Sequence, residues 1–351
     1  MEVLTISSIR AYGDAMIKQT KSPSPVEVDA KVDGVDSLPT YDLLDESTVW
    51  TPEIERLTHA VVKQIRLDAP SMMVIGRQRI GKSKAIAFLN GILAEEIGYP
   101  ILILRWSVVD DVNRSNRTFI QDRMRQSGTD AIVHRDLAVL RSRLIDHIRA
   151  EAARIGTRRV AFFIDEAHAL MDDEYAQLLN LFNEMERYAL KPFFLLVGQP
   201  ELSNVEGRWL AIGNYQNIGR FASHMHEYLG IHLDDVASVL TVFDEDINGT
   251  DICISKNVSL KAFEEGWRIA DMAPLIVNSV RSVALMQNIT EPVRMPMQYL
   301  RGQLLAMLYH IGQQKIDPRQ LSQAVVIDCL RSTNFTPVLQ HYRDTRDVKS
   351  K

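Results

Sequence analysis

The chain has 351 residues, 46% hydrophobic and 24% charged, with a net charge of −5 and a pI near 6.0. That length buries a sizeable core and suits one large domain with a smaller one. The mild acidity excludes a global basic field for nucleic acid, so such contact has to come from a local patch.

The N-terminal "MEVLTISSIRAYGDAM" lacks the apolar core of a signal peptide. Residues 1–50 are polar and rich in Pro, Ser and Asp, and read as a flexible or extended arm. Within it, Ser7 to Lys18 suits either a short amphipathic helix or a frayed terminus. Order is expected from "TPEIERLTHAVVKQIRL", with Thr51 as N-cap, Pro52 at the first helical position and Ile54, Leu57, Val61 and Ile65 as one stripe. Strands and helices then alternate. "SMMVIG", "PILILRW", "RRVAFFIDE" and "PFFLLVGQ" read as strands, with "HMHEYLGI" as a fifth. "GKSKAIAFLNGILAEEIG", "LAVLRSRLIDHIRAEAARIG" (ended by Gly156) and "DEYAQLLNLFNEMERYAL" read as helices. Continuous apolar runs, rather than alternating ones, predict a parallel sheet covered on both faces, over residues 51–232. From 233 to 332 every segment reads as helical, and 333–351 as a tail. The two cysteines, Cys253 and Cys329, lack metal-ligand spacing and read as free thiols of a reducing cytoplasm. No apolar stretch approaches the roughly 18 residues of a membrane span, so a cytoplasmic protein with no membrane partner is expected.

Gly76-Arg77-Gln78-Arg79-Ile80-Gly81-Lys82-Ser83 fits the G-x-x-x-x-G-K-[ST] phosphate loop, after a strand and before a helix. Glycines let the backbone wrap around an anion, and the helix adds its positive end. Lys82 is expected on the β- and γ-phosphates and Ser83 on Mg²⁺, with Lys84 completing the nucleotide-binding set. Asp165, at the tip of "VAFFIDE", suits Mg²⁺ coordination through water. Glu166 suits deprotonation of an attacking water. Gln199, at the next strand tip, is a candidate partner of the γ-phosphate or that water. Arg220 is a candidate finger for a neighbouring subunit's nucleotide, with Arg208 as the alternative. Arg281, on a helix of the second half, could fold back onto the phosphates. Asp165-Glu166-Ala167-His168 also spells a helicase signature, but the helical second half offers no second sheet domain. His168 is expected at a helix start, touching the site or nothing.

"GRQRIGKS", "FFIDE", the polar strand tip at Gln199, "GRF" and a helical lid occur in the order found in AAA+ ATPases, and the chain resembles that family over roughly residues 51–332. Through "IDEAHAL…LLNLFNEMER…PFFLLVGQPEL" it looks most like transposition regulators of the TnsC/TniB type, relatives of the phage Mu transposition protein B. The resemblance implies a parallel AAA+ sheet with helices on both faces, followed by a C-terminal helical lid. It further implies ATP bound between subunits, rings or helical filaments around double-stranded DNA, and a link between a target-selecting protein and a transposase. ATP hydrolysis then takes the assembly apart. By the same resemblance the segment after the second strand faces the DNA, making Arg114, Arg117 and Thr118 phosphate contacts. Arg123 and Arg125 add to its basic excess over Asp110, Asp111 and Asp122. Two features depart from the family: the lid lacks a Gly-x-x-Arg signature, and the N-terminal arm has no counterpart. A helicase loader or secretion motor, and a nucleotide-gated scaffold with negligible turnover, are the rival readings.

Overall fold

The computed structural model describes residues 49–109, 115–129, 133–245 and 253–344. They divide into two compact units: residues 54–78 with 82–229, and residues 230–344 with 49–53 and 79–81.

The first unit opens with α1 (Pro52–Arg66), β1 (Ser71–Ile75), α2 (Lys82–Ile97) and β2 (Leu102–Ser107). It continues with α3 (Asn116–Gln126), α4 (Leu137–Ile155), β3 (Arg159–Asp165), α5 (Asp172–Arg187) and β4 (Lys191–Gly198). Two short helices, α6 (Ser203–Ala211) and α7 (Tyr215–Phe221), lead to the short β5 (Met225–Glu227). The strands form one five-stranded sheet in the order β2-β3-β4-β1-β5, every pair parallel. Helices cover both faces, which is why β3 and β4 are buried almost without interruption and read as unbroken apolar runs. Phe162 opposes Phe194 in register and stacks on it at 4.8 Å; Trp106 and Phe221 extend this aromatic core at 4.7 and 5.6 Å. Asp136 caps the start of α4, and Gly156 ends it in the left-handed conformation at φ 74°. The basic segment after β2 contains the helix α3.

On β5, burial and then the charge of Arg56 hold the His226 imidazole down at about 4, against an ordinary 6.5, with Glu227 opposing. The folded state therefore keeps this ring neutral while the unfolded chain takes up a proton. The resulting stability is present above pH 6.5 and is lost as pH falls towards 4. Urea midpoints are expected to drop across that window, and His226→Gln should flatten the drop. Parallel curves for the two proteins would contradict this assignment.

The second unit holds β6 (Ile231–His232), α8 (Val236–Leu240), α9 (Ile254–Val258), α10 (Leu260–Glu264), α11 (Ala273–Met286), β7 (Arg294–Met295), α12 (Met297–Gln314) and α13 (Gln323–Ser332). It is helical as expected, but the first two predicted helices break into short α and 3-10 turns. Asp244 explains the break: its carboxylate accepts from the N–H groups of Ile269 and Ala270 at 2.7 and 3.0 Å and bonds the Ser255 hydroxyl. Residues 333–344, expected as a tail, are built into this unit. Phe335 and Tyr342 pack on Tyr299 with ring centres 4.7 and 6.1 Å away, and Arg294 pairs with Asp344 at 2.8 Å. Both cysteines are buried.

The expectation that no stretch reaches membrane-spanning length needs correcting, because Ile269–Met286 passes on length and hydropathy. Its buried residues (Ile269, Met272, Ile276, Val280 and Val283 among them) recur at helical spacing on one side, which marks a core helix rather than an all-round apolar one.

Candidate functional site

The phosphate-loop segment leaves β1 at Gly76, whose N–H donates to the Gly198 carbonyl at the tip of β4 at 3.1 Å. Arg79 and Gly81 take positive φ, 59° and 108°. This is the reversal a tight wrap requires. Lys82 opens α2 and is buried at 7% exposure. Its Nζ donates to the Gly76 and Arg77 carbonyls at 2.7 and 2.8 Å, so the ammonium stands inside its own loop. Burial pushes its pKa down, while the charges of Glu166, Asp165 and Glu201 oppose the shift. A partly desolvated cation here gains most from an anion that enters the loop. Arg77, Gln78, Arg79, Ser83 and Lys84 are exposed, and Ile80 is buried.

β3 delivers the carboxylates. Asp165 Oδ1 accepts from the Glu166 N–H at 2.9 Å. Glu166 itself sits at φ 55°, a left-handed conformation uncommon for a side chain of its size. A single 3-10 turn, Ala167–Ala169, follows. Since β4 runs between β1 and β3, Gln199 falls between the loop and the carboxylates. The Gln78 amide Nε2 donates to Gln199 Oε1 at 3.1 Å. Lys82, Asp165, Glu166 and Gln199 thus gather at the C-terminal end of the sheet. His168, given no task by sequence reasoning, joins them: its Nε2 lies 3.1 Å from Gln199 Nε2 and its Nδ1 3.4 Å from Glu166 Oε2. Only its place two residues after Glu166 could have hinted at this.

Residues 65–205 match the model of a family described as an AAA domain. Among solved structures, the chain is similar to the ORC2 protein of Aeropyrum pernix in its ADPNP-ADP complexes, at TM-score 0.55 and 13% identity over 83% of this chain and 71% of that one. The ADP form of the same protein gives 0.52 and 14%, over 83% and 72%. No curated protein matches the sequence. The fold is that of an AAA+ phosphate-loop protein.

Within this unit Arg220 lies apart from the loop. Arg220, at the end of α7, pairs with Glu186 at 3.2 Å and stands 4.3 Å over the Phe182 ring. It lines a cleft of about 200 Å³ with Arg159 and Lys191, the first residues of β3 and β4. That is the N-terminal edge of the sheet. The eight residues of β4 separate it from the phosphate-loop edge by roughly 25 Å. Arg208 is exposed on α6. Arg281 lies on α11 of the helical unit and pairs with Asp234 at 3.4 Å.

Arg114 lies outside the described residues. Arg117 and Thr118 are exposed in the first turn of α3, where the Thr118 hydroxyl is engaged in a capping box with Ser115. Two further cations of this segment are used locally. Arg123 is buried, donating to the Ser107 carbonyl at 3.1 Å and stacking 4.8 Å over Phe119; Arg125 pairs with Asp122 at 2.5 Å.

The donor chemistry suits Mg²⁺. Ser83 offers a hydroxyl and Asp165 a carboxylate, both hard oxygens. Among the described residues no cluster of three or more His, Cys, Asp or Glu could hold a metal alone.

Proposed function

We propose that this protein is a Mg²⁺-dependent ATPase that acts as an oligomer on double-stranded DNA. The observation that carries the reading is the gathering of a buried loop lysine, a carboxylate pair and a polar strand tip at one end of an AAA+ sheet. Lys82 and the loop hold the phosphates, and Ser83 and Asp165 hold the metal, which screens phosphate charge. Glu166 takes a proton from water as the water oxygen attacks the terminal phosphorus. The bond to the bridging oxygen breaks, leaving ADP and phosphate. The nucleotides in the Aeropyrum pernix ORC2 complexes support the choice of ligand. Arg220, remote from its own loop, serves a neighbour's nucleotide, and Arg117 with Arg114 supplies phosphate contacts to DNA. Arg281 is assigned to the nucleotide only if it leaves Asp234.

The finer role is target marking in transposition. ATP-bound oligomers occupy DNA, join a target selector to a transposase, and dissociate on hydrolysis. It rests on the motif order from the phosphate loop to "GRF". Lys82→Ala is expected to abolish binding of a fluorescent ADP and all turnover. Electron microscopy with ATP should show rings or filaments only when duplex DNA is present. Nucleotide binding that survives Lys82→Ala would overturn the site, and DNA-independent particles would favour a loader or motor.

A further inference from the structure

We infer that His168 is a positioning residue for Glu166, the last link of a relay that reads whether a terminal phosphate occupies the loop. The inference rests on the ATPase reading above. The relay runs from Gln78 in the loop, through Gln199 at the β4 tip, to His168 and Glu166, with spacings of 3.1, 3.1 and 3.4 Å.

The neutral tautomer with its proton on Nδ1 serves the links to both Gln199 Nε2 and Glu166. Gln78 Nε2–H donates to Gln199 Oε1 and Gln199 Nε2–H donates to His168 Nε2. His168 Nδ1 then lies within ion-pair reach of Glu166 Oε2, at 3.4 Å. The two amide donations run in the same sense, so the first strengthens the second. The Gln199 backbone N–H also reaches Nδ1, at 3.4 Å, and donates to it in the other tautomer, so Gln199 and Glu166 compete for this nitrogen.

Two features of the backbone exist to bring the ring here. Gly198 is tightly packed: a Cβ there would lie 3.0 Å from the His168 backbone nitrogen, 3.2 Å from Leu202 Cδ2 and 3.3 Å from the His168 Cβ, so a side chain would need its neighbours to give way. The 167–169 turn can therefore lie directly against the end of β4. The left-handed Glu166 makes the second bend, turning the chain so that residues 166 and 168 face each other. The ring is 21% exposed and the carboxylate 46%, so the donor is walled in while the acceptor reaches solvent.

The amide donors of Gln78 and Gln199 are the groups a phosphate oxygen would claim. When it does, Gln199 releases His168 Nε2, and the hold of Nδ1–H on Glu166 changes with it. An empty or diphosphate-filled loop leaves the relay closed, and a terminal phosphate opens it. Turnover, not binding, is what the relay controls.

The test is steady-state and single-turnover ATP hydrolysis by the full chain, beside direct binding of fluorescent ADP. His168→Ala is expected to lower kcat about ten- to a hundredfold, as loss of an orienting partner does. KM and ADP affinity should stay within about twofold. His168→Asn, whose amide N–H can stand where Nδ1–H stood, should recover most of the rate. In a Glu166→Gln background, His168→Ala should cost nothing further, because both changes break one unit. Gln78→Ala, at an exposed loop position, should lower kcat by more than it weakens ADP binding. A silent Gln78→Ala, an undiminished kcat in His168→Ala, or a full additional loss beside Glu166→Gln overturns the relay. Wild-type protein that neither binds nor hydrolyses nucleotide sinks the ATPase reading itself; normal wild-type turnover with a silent His168→Ala sinks only the relay.

Discussion

Glu166→Gln is expected to bind ATP normally and lose turnover by about a hundred- to ten-thousandfold, the range a positioned general base contributes. The substitution keeps size and shape, so the left-handed backbone at φ 55° remains as readily occupied. It removes the negative charge that supports Lys82 through space, so phosphate affinity should hold or tighten. Binding and turnover therefore part company, and that separation is the informative result. Under the proposed role, the stalled variant should accumulate as DNA-bound assemblies that ATP no longer dissolves. An unchanged rate would remove Glu166 from the chemistry and return the nucleotide-gated scaffold to first place.

Arg220→Ala should cost about a thousand- to a hundred-thousandfold in turnover if Arg220 is a finger supplied in trans. The geometry makes a distinctive demand. Arg220 stands at the sheet edge where β3 and β4 begin, while its own loop stands where β1 and β4 end. It cannot reach its own nucleotide. Mixing Arg220→Ala with Lys82→Ala should therefore restore activity, because some interfaces then join an intact loop to an intact arginine. No recovery in the mixture would argue that the loss came from the Glu186 pair and the Phe182 stack. Glu186→Gln provides the control: it breaks the pair but leaves the guanidinium, and should keep most of the turnover.

Much of this was legible from local patterns. β3 and β4 announced themselves because strands buried on both faces have no polar alternation to hide them. Gly156 ended α4 where a residue at φ 74° was needed. The phosphate loop, Asp165-Glu166 and Gln199 were legible because each sits at the end of an apolar run, and strand ends are where such a sheet presents chemistry. What stayed hidden depended on contacts between distant segments. α3 is not assigned from the sequence because its polar face dominates, while Phe119, Ile120 and Met124 are what anchor it. Arg123 counts towards the basic excess of this segment, but its charge is used on Ser107 and Phe119. The breaks in the helical unit follow from Asp244 capping a turn some twenty-five residues away, which no periodicity can show. His168 is the same case: its meaning lies in Gln199, 31 positions along the chain.

The placing of β4 between β1 and β3 also sets a length scale. Adjacent strands stand about 4.8 Å apart, so the loop and the carboxylate pair are separated by roughly 10 Å, the width of one intervening strand on either side. A ligand seated in the loop engages Glu166 only if it extends across that gap. On the proposed ATPase reading the sheet would measure how far a bound polyphosphate extends, and a compound that fills the loop without crossing β4 should compete for Lys82 while leaving Glu166 idle.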